Sequence, residues 1–173
     1  MTSEQSGGGV RYNPSGVFPP YAFLPGRDPH PARDPRGHSF EQEEAPAAYL
    51  PPADWRENQP YLFGVDLYNH GYLWEAHEAW ESIWHPSKHD AQQANHLQGL
   101  IQCAAACLKV RMGQPRGLAR LMELGTARLM SVNDEANGDY MGLCLPDIVA
   151  DFRTFALSSP KDAEGRPQLE LAL

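Results

Sequence analysis

Histidine and glutamate recur at helical spacing in the segment Tyr72-Leu-Trp-Glu-Ala-His-Glu-Ala-Trp-Glu-Ser-Ile-Trp-His85. His77 and Glu81 are four residues apart, as are Glu81 and His85, so on a helix each pair converges on one point. Imidazoles and carboxylates bind metals and also carry general acid–base catalysis. We therefore expect His77, Glu78 and Glu81 to be catalytic residues, or His77, Glu81 and His85 to bind one divalent transition metal.

Known metal motifs do not decide between these interpretations. His77-Glu-Ala-Trp-Glu81 lacks the second histidine of the His-Glu-x-x-His zinc motif, because Glu occupies position 81. The Glu-x-x-His pair of di-iron bundles is also missing from the segment. In a ligand or catalytic pocket, Glu78 or Glu81 would be the general base and His77 a ligand or a proton shuttle. In a third interpretation, the same residues form a structural polar network between helices.

A second group of polar residues falls within an apolar run. Residues 97–108 carry no charge, so they predict a buried helix with small residues that admit close neighbours. Gln98 and Gln102 share one face of this helix, and a buried amide without a partner costs about 1–3 kcal/mol. We expect Gln98 and Gln102 to orient a ligand beside Trp74, with Arg120 as the counter-charge for Glu78 or Glu81.

The elements that position these residues are helical. From Pro60 onward the apolar residues repeat with a period near 3.6, and glycine and proline mark the ends of the periods. The pattern predicts an all-α bundle of about five helices in a domain spanning residues 59–158. The helices are expected at about 59–69, 72–85, 88–112, 115–132 and 147–157, with a loop over 133–142 and a polar tail over 159–173 that docks through its terminal leucines.

Residues 1–58 precede the helices as a proline-rich segment. Eleven of the 16 prolines lie in the first 60 residues, and proline excludes helices and central strands. Interspersed aromatic residues predict an extended arm that lies on its own domain or on a partner subunit. In one interpretation His30 or His38 of this arm lies near Glu78 and Glu81 and completes the site of a metal-dependent hydrolase or oxidase. In the other, the arm only tethers and covers apolar surface, on its own domain or across a dimer.

Composition excludes several classes of protein. The net charge of −8 and the pI near 5.3 argue against a nucleic-acid-binding protein. The polar N-terminus is unlike a secretory signal, and residues 97–108 are too short to span a membrane, so a cytoplasmic protein is expected. Cys103 and Cys107 lie in the apolar run, which favours buried, reduced thiols.

Several of these segments together resemble the domain-of-unknown-function family numbered 309. The resemblance rests on residues 67–84 with their Glu-Ala-His-Glu motif, on Leu97-Gln-Gly-Leu-Ile-Gln102, and on Gly113 and Gly117-Leu-Ala-Arg-Leu121. It covers about residues 60–130 and implies a small all-α bundle of prokaryotic or plastid type with no settled activity. The family's motif residues correspond to Asn69, Gly71, Trp74, Glu75, His77, Glu78, Glu81, Trp84, Gln98, Gly99, Gln102 and Arg120.

The sequence therefore predicts a small-ligand or metal pocket formed by His and Glu of the second helix and Gln of the third. The alternative is a homo-oligomeric interaction module, assembled through the arm, in which the same residues form a structural network. Whether the protein is an enzyme stays open at this point.

Overall fold

Five α-helices are the main elements of the computed structural model, which describes residues 9–172. The predicted all-α class is confirmed, with one addition: a two-stranded hairpin of two residues per strand. The first eight residues of the predicted arm and Leu173 of the predicted tail lie outside the described residues. Within residues 9–172, no helix is both long and apolar enough to cross a membrane.

The helix bounds follow local sequence signals. The helices are α1 (Gln59–Asn69), α2 (Leu73–Trp84), α3 (Ala91–Arg111), α4 (Pro115–Ala136) and α5 (Leu145–Leu157), with 3-10 turns at Pro52–Glu57 and His85–Ser87. The side chain of Asn58 accepts a hydrogen bond from the Tyr61 amide at the start of α1, and Asp90 caps Gln93 of α3 in the same way. Proline occupies the first turn of α1, α4 and α5.

The predicted loop over 133–142 is wrong in two places, because the end of α4 and the strand β1 both fall inside it. Helix α4 continues to Ala136 and stops where Asn137 takes a left-handed conformation, with φ +56°. The hairpin follows, with β1 (Asp139–Tyr140) antiparallel to β2 (Leu143–Cys144). Met141 and Gly142 form its two-residue turn, and both have positive φ, as such tight hairpin turns require.

Helix α3 is the centre of the core and packs against α2 and α4. The close approach expected from its small residues occurs at Gly99, because a Cβ atom on Gly125 of α4 would lie 2.9 Å from the Gly99 carbonyl oxygen. Cys103 and Cys107 are free and buried, as predicted. Burial raises the pKa of both thiols, that of Cys107 to about 11, so they stay protonated and unreactive.

Residues 9–51 contain no helix or strand. They contact α1 and α2 of the same chain, and Tyr49 and Leu50 at their end contact the start of α3. Asp66 of α1 is fully buried and accepts three hydrogen bonds from this segment. The donors are Arg11 Nε at 3.0 Å, the Tyr12 amide at 2.9 Å and the Asn13 amide at 2.8 Å. These bonds fix the N-terminal segment beside the helices that carry the candidate site.

The C-terminal residues also contact α1. Leu169 and Leu171 are buried, and the Asn69 side chain donates to the Leu169 carbonyl and accepts from the Leu169 amide. Arg166 donates to the Tyr68 carbonyl at 2.8 Å. The tail therefore contacts α1 at a residue that precedes the leucines through which docking was predicted.

Candidate functional site

The candidate metal ligands of α2 lie together on its exposed flank. One ligand atom each from His77, Glu78 and Glu81 can be chosen so that all three lie within 4.8 Å of one another. His77 Nδ1 lies 3.1 Å from Glu78 Oε1, and His77 Nε2 lies 3.7 Å from Glu81 Oε2. The three side chains are 28%, 46% and 38% exposed, so they can rearrange and solvent can reach them.

His77 is the most buried member of this cluster. Its Nδ1 atom is buried, and the polar atom beside it is Glu78 Oε1 at 3.1 Å. Burial by itself lowers the pKa of His77. The carboxylates of Glu78 and Glu81 outweigh that effect and raise the pKa above its ordinary value. The cluster therefore attracts positive charge.

His85, the third predicted metal ligand, lies at the edge of the cluster. Its Nε2 atom is 3.9 Å from Glu81 Oε1, and its side chain is 58% exposed. Helix α2 ends at Trp84, so His85 belongs to the following 3-10 turn, His85–Ser87, which also contains Pro86. The compact group therefore contains His77, Glu78 and Glu81, while His85 contacts one of its members from outside.

The glutamines and Arg120 are not joined to this cluster. Gln102 Oε1 is buried without a partner, and in the described part of the chain neither Gln98 nor Gln102 makes a hydrogen bond to α2. Arg120 is exposed on α4, which packs mainly on α3 and α5. Residues 9–172 contain no ion pair between Arg120 and Glu78 or Glu81. The predicted role of Arg120 as counter-charge is therefore wrong, and His77 is the neighbour of both carboxylates instead.

A cleft of about 700 Å³ lies beside the cluster, between the N-terminal segment and helices α1 and α2. Trp74 and Glu78 of α2 line it, as does Phe63 of α1. Gln98, Gln102 and Arg120 do not border the cleft.

A buried carboxylate that the residue pattern did not single out also borders the cleft. Glu75 Oε1 accepts from the Phe23 amide at 2.8 Å and lies 3.1 Å from His38 Nε2. The side chains of Glu75 and His38 are each only 5% exposed, and Glu75 Oε2 has no hydrogen-bond partner. In the sequence, Glu75 stands out only as one of the motif residues of the family resemblance.

The arm histidines therefore contact α2, but away from the predicted carboxylates. His38 pairs with Glu75, and His30 packs its ring on Trp74 and Phe23 with centroids 5.6 Å and 5.3 Å apart. Neither histidine belongs to the group formed by His77, Glu78 and Glu81.

Fold and site together define a small all-α protein with an imidazole–carboxylate cluster on its second helix. Residues 61–121, about a third of the chain, match the model of the family described as "Domain of unknown function (DUF309)". The predicted family resemblance is thereby confirmed for α1 through the start of α4, the part that carries the cluster. No curated protein and no solved structure matches the chain. The family description contains no activity, so function has to be argued from the residues.

Proposed function

We propose that His77, Glu78 and Glu81 bind one divalent transition metal ion on the exposed flank of α2. The observation that carries this proposal is the convergence of their three ligand atoms within 4.8 Å. Two neighbouring carboxylates repel each other, whereas the imidazole of His77 adds a nitrogen donor next to both of them. An imidazole with carboxylates suits zinc, manganese or iron.

Binding requires only a modest rearrangement. Zinc ligands lie about 2.0–2.1 Å from the ion, so tetrahedral geometry places them roughly 3.4 Å apart. Glu78 and Glu81 are exposed enough to close the remaining gap by rotamer changes. Three protein ligands would leave a coordination position open to solvent, as in catalytic metal sites. The arm histidines expected in a metal-dependent hydrolase or oxidase are not among these ligands.

Isothermal titration calorimetry of the full chain with zinc chloride tests the proposal. We expect saturable binding of about one ion per chain, with strong loss of affinity in His77→Ala and Glu81→Gln. His85→Ala is the matched control, because His85 is another histidine of the same flank that lies outside the group. Wild-type protein that takes up no zinc, or His77→Ala that binds it like wild type, would contradict the proposal.

The cleft supports a second candidate function, the binding of a small organic ligand. Its volume of about 700 Å³ lies within the range of known ligand pockets, and Trp74 and Phe63 supply aromatic walls. A fragment screen by saturation-transfer NMR tests it, with Trp74→Leu as the variant expected to lose binding. Fragments that bind wild type and Trp74→Leu equally would argue against this cleft.

The homo-oligomer proposed from the sequence is a separate matter. Light scattering of the full chain measures its mass, and the interaction module requires a mass above that of the 19.2 kDa chain. A monomer would reject it.

A further inference from the structure

A chain of hydrogen bonds connects a serine, a histidine and a carboxylate in the wall of the cleft. Ser39 Oγ lies 2.8 Å from His38 Nδ1, and His38 Nε2 lies 3.1 Å from Glu75 Oε1. We propose that Ser39 is a nucleophile for acyl transfer from small carboxylic esters, that His38 is its general base, and that Glu75 is a positioning residue for His38. This inference rests on the cleft admitting a small ligand and is independent of the metal site.

The proposed roles assign one tautomer to His38, because either ring nitrogen can carry the proton. An ionised carboxylate can only accept, so His38 Nε2 carries the proton that is donated to Glu75. Nδ1 of the neutral ring is then an acceptor, and the Ser39 hydroxyl donates to it. A nucleophile within reach of a base, with that base oriented by a third group, is the arrangement that activates serine in acyl-transfer enzymes.

Burial keeps this arrangement in place. The side chains of His38 and Glu75 are each 5% exposed, so water competes little for their hydrogen bond. The backbone amide of Phe23 donates to the same Glu75 oxygen at 2.8 Å and holds the carboxylate in position. His38 is therefore held between its two partners before any substrate binds.

The proposed step balances without an additional oxidant or reductant. Ser39 Oγ forms a bond to the acyl carbon of the ester, and its proton passes to His38 Nδ1. The bond from the acyl carbon to the leaving alcohol breaks, and the same proton passes to the alcohol oxygen. Water then attacks the acyl group with His38 again as the base, which releases the acid and restores Ser39.

The walls of the cleft define the class of ester. Ser39, His38 and Glu75 all border it, beside the aromatic rings of Trp74 and Phe63. The described residues that line the cleft include Glu44, Glu75 and Glu78 but neither lysine nor arginine. These charges favour a neutral or cationic ester with an apolar group over an anionic one.

Labelling of the full wild-type chain with phenylmethanesulfonyl fluoride tests the nucleophile. Sulfonylation forms a bond from Ser39 Oγ to sulfur and releases fluoride, while His38 takes the proton. Ser82 is an internal control, because it borders the same cleft but its Oγ donates to the Ala79 carbonyl at 2.7 Å instead of to an imidazole. Peptide mapping is expected to find the label on Ser39, formed at least about 100-fold faster than on Ser82.

Variants separate the roles of the three residues. Ser39→Ala is expected to abolish labelling, whereas Ser82→Ala leaves it unchanged. His38→Gln is expected to slow labelling about 100-fold or more, since it removes the base. Glu75→Gln is expected to lower the limiting rate of labelling at saturating reagent while the half-saturating concentration stays the same, a split that a purely structural role would not produce.

Equal reactivity of Ser39 and Ser82 in the wild-type chain would overturn the inference, and this comparison decides even if a variant fails to fold. The unreactive phenylmethanesulfonamide, followed by saturation-transfer NMR, separates the possible failures. Binding of the sulfonamide without labelling rejects the nucleophile and leaves the ligand cleft standing. Absence of both binding and labelling rejects both.

Discussion

His96 of α3 is a fully buried histidine whose replacement tests how the core excludes charge. Its Nε2 atom lies 3.2 Å from the Tyr61 hydroxyl, and its Nδ1 atom has no hydrogen-bond partner. Burial lowers the pKa of His96 to about 3. The folded protein therefore holds this ring neutral at pH values where the unfolded chain would bind a proton.

The sign and size of the pH effect follow from this difference. The pKa in the unfolded chain is about 6.5. Above that pH neither the folded nor the unfolded state binds the proton, so protonation of His96 does not lower the unfolding free energy. As the pH falls from about 6.5 towards 3, the unfolded state gains about 1.4 kcal/mol per pH unit. Near pH 5 the loss is about 2 kcal/mol. At pH 5 the size of this loss is set almost entirely by the pKa of the unfolded chain, because the pKa of about 3 in the folded protein is well below that pH.

Urea unfolding of wild type and His96→Gln, near pH 7.5 and near pH 5, measures this term. Glutamine keeps a polar side chain beside Tyr61 but cannot titrate, so other groups cancel in the comparison. Between the two pH values, wild type is expected to lose about 2 kcal/mol more unfolding free energy than the variant. His89→Gln, at an exposed histidine, should behave as wild type. Equal losses in wild type and His96→Gln would show that His96 is not the group that loses stability in acid.

Two further predictions concern the packing that positions the site. Asp66→Asn should cost about 3 kcal/mol of unfolding free energy in urea, because the new NH2 group would face the buried Asn13 amide and the partly exposed Arg11 guanidinium, which are both donors. A loss below about 1 kcal/mol would contradict the assigned role. Gly125→Ala should cost about 1–3 kcal/mol, since its Cβ would lie 2.9 Å from the Gly99 carbonyl. Gly165→Ala, where a Cβ meets open space, should change stability by less than about 0.5 kcal/mol, and equal effects of the two would reject the close packing.

The helices could be predicted from local signals. Apolar periodicity, proline in first turns and glycine after the last turns place all five helices close to their observed bounds. The exception is the end of α4, where Asn133–Ala136 remain helical although Asn and Asp favour loops. Packing against α3 and the left-handed Asn137 fix that end, and neither is visible in a pattern of residue types.

The candidate site was predictable only where it is local. His77 and Glu81 are brought together by one turn of a single helix, so their spacing was enough. Arg120 required knowledge of how α4 is rotated and which neighbours it has, and spacing within one helix does not contain that information. His38 and Glu75 are 37 residues apart and meet through an irregular segment, so no periodicity could have paired them.

Elemental analysis of untagged protein, purified without chelators and measured by plasma mass spectrometry, shows whether the chain holds a metal. About one divalent transition metal per chain is expected in wild type and in His85→Ala. Loss of that metal is expected in His77→Ala, whose helical circular dichroism should stay unchanged. Wild-type protein without stoichiometric metal, or His77→Ala that retains it, would contradict the claim that the His77–Glu78–Glu81 cluster is a metal site.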